Sequence, residues 1–177
     1  MQEQREDLAR DVAAKAQALF DSKQMLCADA VMSAVNEGFG GGLDPDLARS
    51  LAAAYGSGLG GAGCLCGAVN GAALGLALIL AGSLPPGEVR KAARELHDRF
   101  RQQHGSTCCR VLTKAVKADK AGHLAHCSGL TRSGAHLAAS IILDRCPEAA
   151  GRADKKALAG RRSRLGILLR RLADRLG

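Results

Sequence analysis

The sequence predicts an all-α protein, and three observations carry that prediction. Ala, Leu, Gly, Arg and Lys dominate while β-branched residues are sparse, a composition that favours helices packed closely through small side chains. Apolar residues recur at helical spacing through most of the chain,. No strand-like alternation of any length appears, and no repeat at a fixed period,. The length of 177 residues suits one helical domain with a sizeable core, drawn here over residues 1–146, followed by a basic amphipathic helix over 147–177,.

Residues 6–35 carry two stripes, Leu8, Val12, Ala16 and Leu19, then Cys27, Ala30, Val31 and Ala34, with a break expected at Asp21 and Ser22,. After the glycine run 38–42, Asp44 reads as an N-cap and Pro45 as a first-turn residue for a helix through Ala54,. A second glycine-rich stretch, 56–63, leads to an apolar, charge-free segment from Cys66 to about Ala81, expected as a buried central helix,. Pro85 and Pro86 follow. The remaining pattern predicts helices over 88–103, 107–117 and 131–145, the last closing before Pro147,.

No charge interrupts residues 50–87, which raises the question of a membrane span. Only Ala68 to Ala81 is densely apolar, roughly 14 residues and about 21 Å of helix, shorter than a hydrocarbon core. A membrane span is therefore not expected. The N-terminus is charged, with no apolar run to serve as a secretory signal, so the expected location is the cytoplasm,. Seven cysteines in such a chain argue for free thiols, metal ligation or redox chemistry over a disulfide framework,.

Cys66 stands directly after the second glycine stretch, at the start of the expected central helix. Unpaired N–H groups and the helix dipole there favour negative charge, so Cys66 is expected to be the most activated sulfur. Behind it Gly67, Gly71 and Gly75 form a smooth stripe that lets another helix backbone approach closely,. Cys27 shares a face with Val31 and Ala34, Cys109 lines up with Leu112 and Val116, and Cys127 opens the segment leading to Ala138, Ala139, Ile141 and Ile142. Four helices would thus each present one sulfur to a common interior.

These residues resemble the redox-active proteins named for the pattern C-GCAxxG-C-C, whose core signature reads here as Cys66-Gly-Ala-Val-Asn-Gly71. Supporting matches are Cys27-Ala-Asp-Ala-Val31, the glycine-rich approach from Gly56 to Gly61, Cys109-Arg-Val-Leu112, and Cys127 ahead of an alanine-rich helix, so the likeness runs over about residues 22–146. The resemblance implies a small helical domain with family cysteines at Cys27, Cys66, Cys109 and Cys127 and a redox or metal-binding role. The chain departs by adding Cys64, Cys108 and Cys146, and by placing Leu26 where relatives commonly carry a polar residue.

Four inward thiolates suit zinc or an iron–sulfur cluster, with Cys64 and Cys108 as secondary ligands, while two close thiols suit reversible disulfide exchange. Cys108-Cys109 and Cys64-Leu-Cys66 could each pair locally. No C-x-x-C pair is present, and the absence of C-x-x-C-H disfavours covalent c-type haem,. The histidines lack an H-E-x-x-H arrangement, and His126 beside Cys127 is expected in a solvated loop,. Neither glycine run has the strand and the Lys-Ser or Lys-Thr that a phosphate-binding loop needs,.

From Gly151 to Gly177 there are nine Arg or Lys against Asp154 and Asp174, which accounts for +7 of the net +8 charge,. Leu165, Leu168, Leu169, Leu172 and Leu176 would stripe that helix. Docking onto the domain or a second subunit of a homodimer fits it better than nucleic acid, because aromatic platforms and a second reading helix are absent. The function expected is thus a thiol-based redox or metal-binding module, an oxidoreductase or electron-transfer component that meets a redox protein partner. The alternative is a non-enzymatic interaction protein, its glycine stripe and basic tail binding a partner or an anionic surface.

Overall fold

In the computed structural model, which describes residues 2–154 and 157–158, every regular element among those residues is helical. Helix α1 (Gln2–Asp21) buries the stripe Leu8, Val12, Ala16 and Leu19. The chain breaks where expected: Ser22 Oγ donates to the Leu19 carbonyl at 2.6 Å and Lys23 takes a φ of 62°, which satisfies a carbonyl at the helix end and turns the backbone. Helix α2 (Cys27–Gly38) is buried over most of its length. Its first turn is held by the Leu26 N–H, which donates to the Asp29 carboxylate at 3.1 Å, one half of a capping box.

Asp44 caps α3 (Pro45–Ala53), its side chain accepting from the N–H groups of Asp46 and Leu47 at 3.0 and 3.1 Å. The single turn α4 (Gly56–Leu59) leads into a run of left-handed residues, Ser57, Gly58, Leu59, Gly60, Gly61 and Gly63, a backbone path that explains the glycine content of this stretch. Helix α5 (Gly67–Leu80) starts at Cys66 and is mostly buried, as the apolar pattern predicts.

The glycine stripe decides how α5 is held. A Cβ at Gly71 would stand 2.3 Å from the Ala28 carbonyl oxygen, and one at Gly75 would stand 2.8 Å from Val35 Cβ, so α2 lies directly on the stripe. On another side Gly134 of α8 (Lys120–Arg145) packs on the Ala68 carbonyl, where an added Cβ would come within 2.8 Å. The stripe is therefore filled from within the chain. This corrects the alternative reading in which it binds a separate partner.

Helix α6 (Pro86–His104) runs close to its expected span and ends at Gly105 in a left-handed conformation,. Two helices differ from expectation. The segment expected as a helix over 107–117 is helical only in α7 (Cys109–Leu112), followed by turns, so Val116 does not continue the line of Cys109 and Leu112. Helix α8 begins at Lys120 instead of Thr131. Asp119 caps it, accepting from the Ala121 N–H at 3.0 Å, and Gln17 of α1 donates to Ser128 at 3.1 Å. Cap and packing outweigh the weak propensity of a stretch containing Gly122 and Gly129.

After Cys146 comes a 3-10 turn (Pro147–Arg152) with Ala149 buried. The chain then stays on the helical body: the Asp154 N–H donates to the Gly38 carbonyl at 3.2 Å. Lys15, only 4% exposed, pairs with Glu37 and donates to the Ala157 carbonyl at 2.9 Å. The basic leucine-striped helix expected farther on lies outside the described residues. Among those described, no helix is long and apolar enough to cross a membrane.

Candidate thiol site

Helix starts and crossings bring four cysteines together. Cys27 is the first residue of α2, Cys66 the cap of α5, Cys109 the first residue of α7, and Cys127 lies two turns into α8. Cys27 Sγ rests over Gly67, where a Cβ would be 2.4 Å from the sulfur, and Cys109 Cβ would be 2.9 Å from a Cβ on Gly58. Glycine at these two places thus makes room for two of the four cysteines.

The electrostatic couplings place the sulfurs in one neighbourhood. Charge on Cys27 or Cys109 raises the pKa of both Cys66 and Cys127, and Cys109 raises that of Cys27. Cys27 and Cys109 therefore form the middle of the group, with Cys66 and Cys127 beside them. Burial pushes the Cys66 thiol up to about 12 and the Cys127 thiol up to about 11, with the neighbouring sulfurs adding to it,. Burial also raises Cys27, against the opposing pull of the Ser57 N–H, and raises Cys109.

This corrects the expectation that Cys66 is the most activated sulfur. Its position at a helix N-terminus is as expected, and the N–H groups of Ala68 and Val69 lean toward stabilising a thiolate, but they form no capping hydrogen bond to the side chain. At 4% exposure the loss of hydration outweighs them,. At neutral pH the thiols of Cys66 and Cys127 are protonated.

A second thiol pair lies at the edge of the first. Cys64 lies close enough to Cys108 to raise its pKa, and Cys108 Sγ donates to the Gly63 carbonyl oxygen at 3.5 Å. Cys64 is exposed and Cys108 half-buried. Sequence offered only the local pairs, Cys64 with Cys66 and Cys108 with Cys109; the contact across the two segments has no signature in spacing. It arises because the segments run side by side, with the Cys66 N–H donating to the Thr107 carbonyl at 2.8 Å and the Arg110 N–H to the Gly63 carbonyl at 3.0 Å. Arg110 also donates to the Ala62 carbonyl at 2.7 Å.

The histidines support the loop before α7. His97 bonds to Thr107 Oγ1 at 3.2 Å through one ring nitrogen and to Asp98 at 2.8 Å through the other. His126 lies in α8, not in a loop, with a buried Nε2 that has no hydrogen-bond partner among the described residues. It lowers the pKa of His104, after burial, which is the larger cause. Cys146 stands apart from both thiol groups, buried at the end of α8, where it donates to Glu148 at 3.0 Å.

Among the described residues, no group of three or more His, Cys, Asp or Glu side chains is arranged to hold a metal ion. No curated protein and no solved structure matches the chain. The family model described as putative redox-active protein (C_GCAxxG_C_C) matches residues 25–141, a span that takes in Cys27, Cys66, Cys109 and Cys127 together with Cys64 and Cys108. With this match over residues 25–141 and an all-α fold, the chain belongs to the C_GCAxxG_C_C family.

Proposed function

We propose that the four inner thiols carry a two-electron dithiol/disulfide couple, in which half-buried Cys27 and Cys109 join and separate while Cys66 and Cys127 flank them. The observation that carries this reading is the electrostatic influence between sulfurs from four separate segments, in which every pair includes Cys27 or Cys109 and Cys109 also acts on Cys27, beside the packing of Cys27 on Gly67 and of Cys109 on Gly58. Formation of the bond releases two electrons and two protons to an external disulfide, which leaves as two thiols. Burial suits such a couple. It penalises thiolates strongly, whereas the dithiol and the disulfide are both uncharged.

The test is oxidation of the fully reduced protein with diamide, followed by acid quenching, alkylation and peptide mapping. The expected result is an intramolecular disulfide between Cys27 and Cys109 that dithiothreitol reverses. Protein isolated without oxygen that carried stoichiometric iron or zinc, with these four thiols protected from alkylation, would replace this reading with a metal centre.

A further inference from the structure

We propose that Cys64 and Cys108 are an entry dithiol, which takes oxidising equivalents from a disulfide in solution and hands them to the inner thiols Cys109 and Cys27. The inference deepens the dithiol/disulfide reading and rests on it. Three observations support it. Cys64 and Cys108 come from adjoining segments joined by backbone hydrogen bonds and are close enough for Cys64 to raise the Cys108 pKa, and Cys64 is exposed where Cys66 is buried. Each outer thiol is close in sequence to an inner one, Cys64 to Cys66 and Cys108 to Cys109. The bonds joining residue 63 to 110 and 66 to 107 hold the two segments side by side, and Cys64 N and Cys109 Cβ both border Gly58.

The exchange balances at each step. A Cys64 thiolate attacks the external disulfide, forming a mixed disulfide and expelling one thiolate, which takes up a proton. Cys108 then attacks the Cys64 sulfur, the second external thiol leaves, and the Cys64–Cys108 bond has formed with two electrons passed outward. Cys109 attacks Cys64 in turn, freeing Cys108 as a thiol, and Cys27 attacks Cys109, freeing Cys64. The outer pair is again reduced, and the inner pair holds the disulfide. Chemistry favours attack of Cys109 on Cys64 for the transfer, since that bond spans the two adjoining segments, while attack on Cys108 would close a strained ring between adjacent residues.

The experiment mixes reduced full-length protein, free of oxygen, with oxidised glutathione and maps disulfides in acid-quenched time points. The expected order is glutathione on Cys64 or a Cys64–Cys108 bond first, then its replacement by Cys27–Cys109. In the Cys64→Ser/Cys108→Ser protein, inner oxidation by oxidised glutathione is expected to slow by at least about tenfold, while diamide, which needs no relay, oxidises the inner pair as before. Cys64→Ser alone, at an exposed position, repeats the test if the double variant folds poorly. Equal rates with oxidised glutathione in wild-type and variant protein overturn the relay and leave the inner couple standing. Failure of diamide to join the inner thiols in wild-type protein sinks the inner couple itself, and the relay with it.

Discussion

Replacing Gly71 by alanine is expected to cost the fold about 2–4 kcal/mol, enough to unfold a large share of a marginal protein. The added methyl would lie 2.3 Å from the Ala28 carbonyl oxygen and 2.9 Å from its carbonyl carbon, and backbone atoms cannot move aside by changing rotamer. At Gly67 and Gly75 the nearest atoms are the Cys27 sulfur and the Val35 side chain, which can give way in part, so those substitutions are expected to cost less. Gly129→Ala in α8 supplies the opposite sign. Nothing lies within 4 Å of the added atom there, and the gain in helix propensity is about 0.5–1 kcal/mol. Urea midpoints for the variants at pH 7 check the ranking; a Gly71→Ala protein as stable as the parent would mean that α2 does not rest on α5 as described.

Alkylation should separate the thiols by orders of magnitude. A thiol held up to about 12 has roughly a thousandth of the thiolate of an ordinary cysteine at pH 8, and Cys66 is only 4% exposed. Iodoacetamide is therefore expected to modify exposed Cys64 first and Cys66 at least ~100-fold more slowly, with the Cys66 rate rising about tenfold per pH unit until its thiol ionises. Comparable rates for the two at pH 8 would show that Cys66 is not buried against its ionisation. The same shift has a stability consequence whose sign is fixed. The unfolded chain releases the Cys66 proton near the ordinary value of 9.0 while the folded chain keeps it to about 12. The stabilisation is fully present below pH 9 and is lost as pH rises through that window, by about 1.4 kcal/mol per unit for this thiol.

Sequence showed the helical class, the break after α1, the cap of α3 and the start of α5 because each rests on local chemistry: periodicity, an Asp-Pro pair, a charge-free run behind a glycine stretch. The glycine stripe was legible as a close-packing surface, but its occupant was not, since only the fold shows that α2 fills it. The start of α8 was hidden because two histidines and two glycines between Lys120 and Leu130 read as loop, while the Asp119 cap and the contact with Gln17 act through tertiary structure. At the thiol site, motif and spacing identified Cys27, Cys66, Cys109 and Cys127 as a set. The ionisation order was misread because a helix N-terminus is visible in sequence and desolvation is not. The Cys64–Cys108 contact was invisible for a similar reason: it depends on backbone hydrogen bonds between segments more than 40 residues apart, such as Arg110 N–H to Gly63 O.

Equilibration of the whole protein in glutathione redox buffers, with acid quenching and disulfide mapping at each ratio, tests the thiol couple most directly. The prediction is a reversible two-electron transition within one chain, with a disulfide among Cys27, Cys66, Cys109 and Cys127 that appears under oxidising buffer and disappears under reducing buffer. Those four residues remaining free thiols throughout, while Cys64 and Cys108 turn over alone, would contradict it.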